Sequence, residues 1–138
     1  MGKVSLTDVY TKFPTAEDCL INLESIRWKE RRICPHCGWH KHTPYQQERR
    51  YRCNGCDTNF SVTVKTLFHG THVDLRKWYL LIVVVMESRK LPSVNALVSQ
   101  VQVNKNTVTR MVRQIRSAVI TDFGLLAQIT DEVTGDGK

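Results

Sequence analysis

Long apolar stretches are missing from this chain. The longest run, Trp78 to Met86, is nine residues, far below the roughly 20 needed to span a bilayer, so no membrane partner is expected. The opening residues Met1 to Tyr10 hold no apolar core of the secretory kind, which points to a cytoplasmic setting. There is no low-complexity tract and no internal repeat. Acids are scarce: 13 Asp and Glu stand against 20 Lys and Arg, giving a net charge of +7 and a pI near 9.4. The deficit is local. From Arg27 to Arg52 eight cations face only Glu30 and Glu48, and from Asn104 to Arg116 there are four cations and no acid. Such patches suit an anionic partner, most often nucleic acid, although a solvated basic face gives the same pattern. The last eighteen residues reverse the sign, with Asp122, Asp131, Glu132 and Asp136 against Lys138.

Cysteines number five, and four of them are paired in sequence. Cys34-Pro35-His36-Cys37-Gly38 and Cys53-Asn54-Gly55-Cys56 are two Cys-x-x-Cys motifs at the separation of a four-cysteine zinc site. Zinc takes four soft ligands at tetrahedral corners, and a two-residue spacer lets one tight turn present two sulfurs. Pro35 presets the first turn, and Gly55 is expected to supply a positive φ in the second. The competing use, two disulfides, would leave Cys19 over and would need an oxidising compartment. Zn2+ held by Cys34, Cys37, Cys53 and Cys56 is therefore the expected cofactor, in a structural role.

The coarse reading is a small α+β chain: an N-terminal helix, a zinc ribbon of short antiparallel strands, then a trihelical helix-turn-helix. Residues 1–12 are polar and read as a flexible N-terminus. Residues 13–70 carry a helix begun at Thr15, with Cys19, Leu20, Leu23 and Ile26 on its apolar face, and the ribbon. Strands are expected near Thr43–Gln47, Arg50–Arg52 and Asn59–Val64, with Tyr45, Tyr51 and Phe60 either packing in the ribbon or stacking on bases. Trp39 is open to the same two readings. Residues 71–120 follow. A helix capped by Asp74, apolar nearly all round, should be buried on several sides. Ser93 caps a short helix, Gln102-Val103 turns the chain, and Asn104 caps a longer helix. Its stripe Val108, Met111, Val112, Ile115 and Val119 leaves Lys105, Asn106, Thr109, Arg110 and Arg113 outside. In a helix-turn-helix that outer face enters the major groove. Arg49, Arg50, Arg52 and the Arg27–Arg32 cluster would hold phosphates. Residues 121–138 read as an acidic tail.

The run Phe13-Pro14-Thr15, Glu17-Asp18-Cys19-Leu20, Arg27-Trp28, both cysteine pairs, Phe60-Ser61-Val62 and Leu75-Arg76-Lys77-Trp78-Tyr79 resembles insertion-sequence transposases with an N-terminal zinc ribbon and helix-turn-helix (the DDE, ISXO-like group). The similarity covers most of Phe13 to Leu126. It departs from the family at Gln102, where glycine is usual, and at Val98, where a small residue is common. The resemblance implies that ribbon and helices bind double-stranded DNA at transposon ends or a related operator. It also implies a separate catalytic domain with three metal-binding acids, the first in a strand just after the helices. Asp131 falls near that place, and residues 121–138 would then begin a catalytic domain whose other acids this chain lacks. One carboxylate cannot build a two-metal site, so no catalysis is expected of the chain alone. The other readings are a chain active by itself through Asp131, a stand-alone regulator derived from a transposase, and an adaptor whose ribbon binds protein or RNA. A homodimer and nucleoid association fit the DNA-binding readings.

Overall fold

A computed structural model describes residues 4–29, 32–44 and 49–135. These residues form six helices and one small sheet: α1 (Leu6–Lys12), α2 (Ala16–Arg27), β1 (His42–Pro44), β2 (Tyr51–Cys53), β3 (Asn59–Phe60), α3 (Leu75–Glu87), α4 (Val94–Val101), α5 (Lys105–Thr121) and α6 (Phe123–Thr134). They make the small α+β architecture expected from the sequence. The chain divides into two compact units, residues 17–72 and residues 1–16 together with 73–138.

The helical unit is built around α3. Its residues Trp78, Tyr79, Leu80, Leu81, Ile82 and Val83 are all buried, and α1, α4, α5 and α6 all pack on it. Asp74 caps α3 by accepting the Arg76 amide at 2.9 Å. The run Val83-Val84-Val85, strand-prone by propensity, is helical here because burial on several sides outweighs intrinsic preference.

The segment expected to be a flexible N-terminus and the one read as an acidic tail both form helices. Residues 6–12 form α1, closed by a capping box: the Asp8 amide donates to Ser5 Oγ (3.2 Å) and the Ser5 amide to Asp8 Oδ2 (2.9 Å). Leu6 and Val9 are buried, and Phe13 meets Tyr79 edge-on at 5.3 Å. The Arg76 guanidinium lies 4.0 Å over the Tyr10 ring and donates to Pro14 O at 2.9 Å. The acidic tail is α6, which buries Leu125, Leu126, Ile129 and Val133. Its C-terminal carbonyls at Glu132 and Gly135 accept the Lys12 ammonium, a cation where the helix dipole favours one.

Between α4 and α5 lie three residues. Gln102 takes the left-handed conformation (φ 62°, ψ 47°) and donates its N–H to Val98 O at 2.8 Å. Lys77 Nζ donates to Gln102 O at 2.9 Å. Asn104 then caps α5 through the Thr107 amide at 2.8 Å. The turn closes without the usual glycine. Along α5 the buried residues are Val108, Met111, Ile115 and Ala118. Ala118 takes the place that the stripe assigned to Val119, which is half-buried.

In the second unit the sheet runs β1-β2-β3, all antiparallel, with Thr43 opposite Arg52 and Tyr51 opposite Phe60. The second strand is shifted by one residue from the expected span, and the third is shorter than expected. The third stops at Phe60 because residues 61–66 fold into turns, Val64 N donating to Ser61 O (3.2 Å) and Thr66 N to Thr63 O (3.1 Å). The first includes Pro44 and lies at the sheet edge, where proline is tolerated. The rest of the expected strand, with Tyr45, lies outside the described residues. Cys34, Tyr51, Cys53 and Phe60 form the small core, with Trp28 and Val64 against it. Tyr51 and Phe60 thus pack rather than face solvent.

Candidate metal centre and nucleic-acid interface

Each Cys-x-x-Cys pair forms a knuckle, and the two are built alike. In the first, Gly38 N donates to Cys34 O at 2.9 Å and Gly38 has φ +80°. In the second, Asp57 N donates to Cys53 O at 2.9 Å and Asp57 has φ +64°. The left-handed residue is therefore the one after the second cysteine of each pair. Gly55, expected to supply it, does not have a positive φ. Its lack of a side chain serves close approach instead: a Cβ there would come within 2.8 Å of Trp39 Cγ.

The four sulfurs converge within 4.8 Å of one another, and none of the cysteines is in a disulfide. Cys34 and Cys56 Sγ are 3.8 Å apart, and Cys37 and Cys53 Sγ 3.5 Å. A tetrahedron with Zn–S bonds of about 2.3 Å has edges of about 3.8 Å, so the donor set fits zinc in type, number and spacing. Backbone amides support the sulfurs: His36 N to Cys34 Sγ (3.3 Å), Gly55 N to Cys53 Sγ (3.3 Å) and Cys56 N to Cys53 Sγ (3.4 Å). Amides that donate to the sulfurs in this way orient the thiolates and favour their charge. The thiols are tuned unequally. Hydrogen bonds from the Thr58 side chain and backbone hold Cys56 down to about 6. Cys37 rises to about 12: the Trp39 backbone hydrogen bond favours its thiolate, but desolvation and the three neighbouring cysteines outweigh it. With all four positions taken by protein, the centre is closed and structural.

The ribbon is tied to α2 by a group the sequence reading missed. Glu24 is buried (8% exposed). Its carboxylate accepts from Tyr51 Oη at 2.8 Å and Arg49 NH1 at 3.0 Å, with Arg32 NH2 at 3.6 Å. The Arg32 guanidinium lies 4.4 Å from the Tyr51 ring centre and 3.1 Å from His42 Nε2. Burial and the hydrogen bond to Glu24 push the Tyr51 hydroxyl up from its ordinary value. The signal was present: Glu24 follows Leu23 on the stripe begun by Cys19, and a carboxylate there calls for partners from a cation-rich ribbon.

Several cations assigned to phosphate therefore have intramolecular partners. Arg49 binds Glu24 and has Nε 3.4 Å from Glu17. Arg27 donates to Val62 O at 2.8 Å. Arg52 is exposed but paired with Asp57. Arg50 is exposed. Arg31 lies outside the described residues. On α5, by contrast, Lys105, Asn106, Thr109, Arg110, Arg113 and Arg116 are all exposed. Asp131 is exposed on α6, so the acid assigned to a catalytic strand sits on a helix. Among the described residues the four cysteines form the sole cluster of three or more potential metal ligands. No described helix is long and apolar enough to cross a membrane.

Residues 14–59 match the family described as the transposase zinc-ribbon domain, of the IS1595 type. A curated relative, an "Uncharacterized protein in transposable element ISH50" of Halobacterium salinarum (strain ATCC 700922 / JCM 11081 / NRC-1), is 31% identical over 100 residues. The match covers 70% of this chain and 33% of the relative, so the chain spans about a third of that protein's length. No solved structure matches. Fold, donor geometry and family match agree: residues 14–59 are similar to a transposase zinc ribbon, and its four cysteines are placed to hold a structural Zn2+.

Proposed function

We propose that this chain is the DNA-binding part of a transposase-like protein of the DDE, ISXO-like group. In this reading residues 71–120 act as a helix-turn-helix that reads double-stranded transposon ends, and residues 13–70 form a ribbon that orients it. The observation that carries the reading is α5, which exposes cations and amides on one side with no acid from Asn104 to Arg116. A three-helix packing with such a face is how groove-reading helices are presented.

Helix geometry divides the labour. At 100° per residue, Asn106 and Arg113 lie opposite the buried stripe, with Thr109 and Arg110 to either side. These four face the base edges: Asn suits adenine and Arg suits guanine. Thr109 Oγ1 donates to Lys105 O at 2.9 Å, so its methyl is left for a thymine methyl. Lys105 and Arg116 fall on one flank, where phosphates run. Asn104 is committed to its cap and does not read bases.

Selection of bound DNA from a genomic pool tests the assignment. Enrichment of inverted-repeat ends supports end recognition. Promoter sites would make the chain a regulator, and no enrichment would leave the ribbon as an adaptor. On the selected site, Arg110→Ala or Arg113→Ala should weaken specific binding by about 1–3 kcal/mol, the worth of a good base contact. Lys105→Ala should weaken all sequences alike and flatten the salt dependence.

A further inference from the structure

We propose that the first zinc knuckle carries a stacking site for an unpaired nucleobase, built on Trp39. This goes beyond duplex reading by α5 and uses a different surface.

Trp39 is one of the few large apolar side chains left exposed, at 45%, yet it is held in place. Its carbonyl accepts the Cys34 N–H at 3.0 Å, and two residues on, Lys41 O accepts the Asn54 N–H at 3.1 Å. Those two bonds fasten the segment to both knuckles. The root of the indole presses on Gly55, where a Cβ would meet Trp39 Cγ at 2.8 Å and Cβ and Cδ1 at 3.0 Å. One part of the ring is thereby anchored by close contact and the remainder is open to solvent. The His40 ring lies 5.0 Å away, tilted by 43°, and forms a second aromatic wall.

The surroundings suit a nucleotide. Lys41 is exposed beside the pair, and no acid occurs from Arg32 to Pro44. The nearest acid of the second knuckle, Asp57, is engaged by Arg52. A rigid indole loses little entropy on stacking, and every base offers a π-face. A neighbouring ammonium attracts the phosphate of the same nucleotide. Bases inside a duplex already stack on each other, so the ligand that fits is a base at a frayed end, gap or single strand.

The zinc-loaded full chain is titrated with a twelve-nucleotide oligothymidine and, separately, with a blunt duplex of equal length at 200 mM salt. Tryptophan fluorescence and bound zinc are both measured. The wild-type protein should bind oligothymidine with quenching. Trp39→Phe should keep binding and lose that part of the quenching. Trp39→Leu, which still covers Gly55 but has no π-face, should bind about 5- to 100-fold more weakly, with zinc content and duplex binding unchanged. Full zinc with wild-type affinity in Trp39→Leu would overturn the assignment, as would no quenching of the wild-type protein. Equal loss on single strand and duplex would also overturn it, since Trp39 would then be a general DNA contact. If Trp39→Leu loses zinc, the Trp39→Phe quenching difference decides alone.

Discussion

Replacing Glu24 should loosen the ribbon from α2 by an amount that can be worked out contact by contact. The Tyr51 hydroxyl is buried and donates to the carboxylate at 2.8 Å; a hydrogen bond to a charged acceptor is worth about 1.5–3 kcal/mol. Arg49 and Arg32 have side chains 30% and 35% exposed, so screening limits each ion pair to about 1 kcal/mol or less. Glu24→Ala removes all three acceptor contacts and leaves the Tyr51 hydroxyl buried without one. The expected loss is about 3 kcal/mol. Glu24→Gln keeps the shape and one acceptor and should lose about 1–2 kcal/mol. Tyr51→Phe removes the hydroxyl alone, and the double variant Glu24→Ala/Tyr51→Phe should show a coupling of at least about 1 kcal/mol. Guanidinium unfolding of the zinc-loaded protein, followed by exchange of the β2 amides, measures these values. A Glu24→Ala loss below about 0.5 kcal/mol, or strict additivity in the double variant, would refute the account of Glu24 as the tie between helix and ribbon.

Chelation of zinc, or Cys53→Ser, should unfold residues 28–60 while α3 to α6 keep their helicity; far-UV circular dichroism that stays unchanged with β2 amides still protected would contradict this. Acidification should release zinc, because bound sulfurs must be thiolates and protons compete for them. At pH 7 Cys37, near 12 without metal, must give up a proton on binding, whereas Cys56, near 6, is already largely ionised; titration calorimetry in buffers of different ionisation enthalpy counts the protons. Gln102→Gly should stabilise the α4–α5 turn by up to about 1 kcal/mol by relieving the left-handed backbone, read as a higher Tm of the helical unit.

What the sequence made legible was chemistry with a fixed spacing. The two Cys-x-x-Cys pairs, the caps at Asp74, Ser93 and Asn104, and the stripe of α5 all depend on residues within a turn or two of each other. What it hid depends on distant partners. Glu24 stands beside Leu23 on the buried side of α2, but which group satisfies it depends on Tyr51, 27 positions away. Helix α1 is polar enough to read as a flexible end and α6 acidic enough to read as a tail, although Ser5 and Asp8 already spell a capping box. Their stability comes from α3, which lies far along the chain. Gly55 was assigned a backbone role when its constraint is the ring of Trp39, a contact between two knuckles. Asp131 was assigned to a strand by resemblance, but Leu125, Leu126, Ile129 and Val133 recur at helical spacing and decide otherwise.

The ribbon is an insertion within the helical unit, because residues 17–72 separate α1 from α3, on which it packs. With those 56 residues unfolded, seating α1 on α3 means closing a long flexible loop, at a cost of about 3–4 kcal/mol. With zinc bound, the ribbon is ordered and fewer flexible residues remain to be closed, so part of that entropy has already been removed. The contacts of Phe13 with Tyr79 and of Lys12 with the end of α6 then close across a shorter flexible length of chain. Loading the metal should therefore be felt at α1, through chain connectivity alone, as slower amide exchange in a helix that holds no ligand.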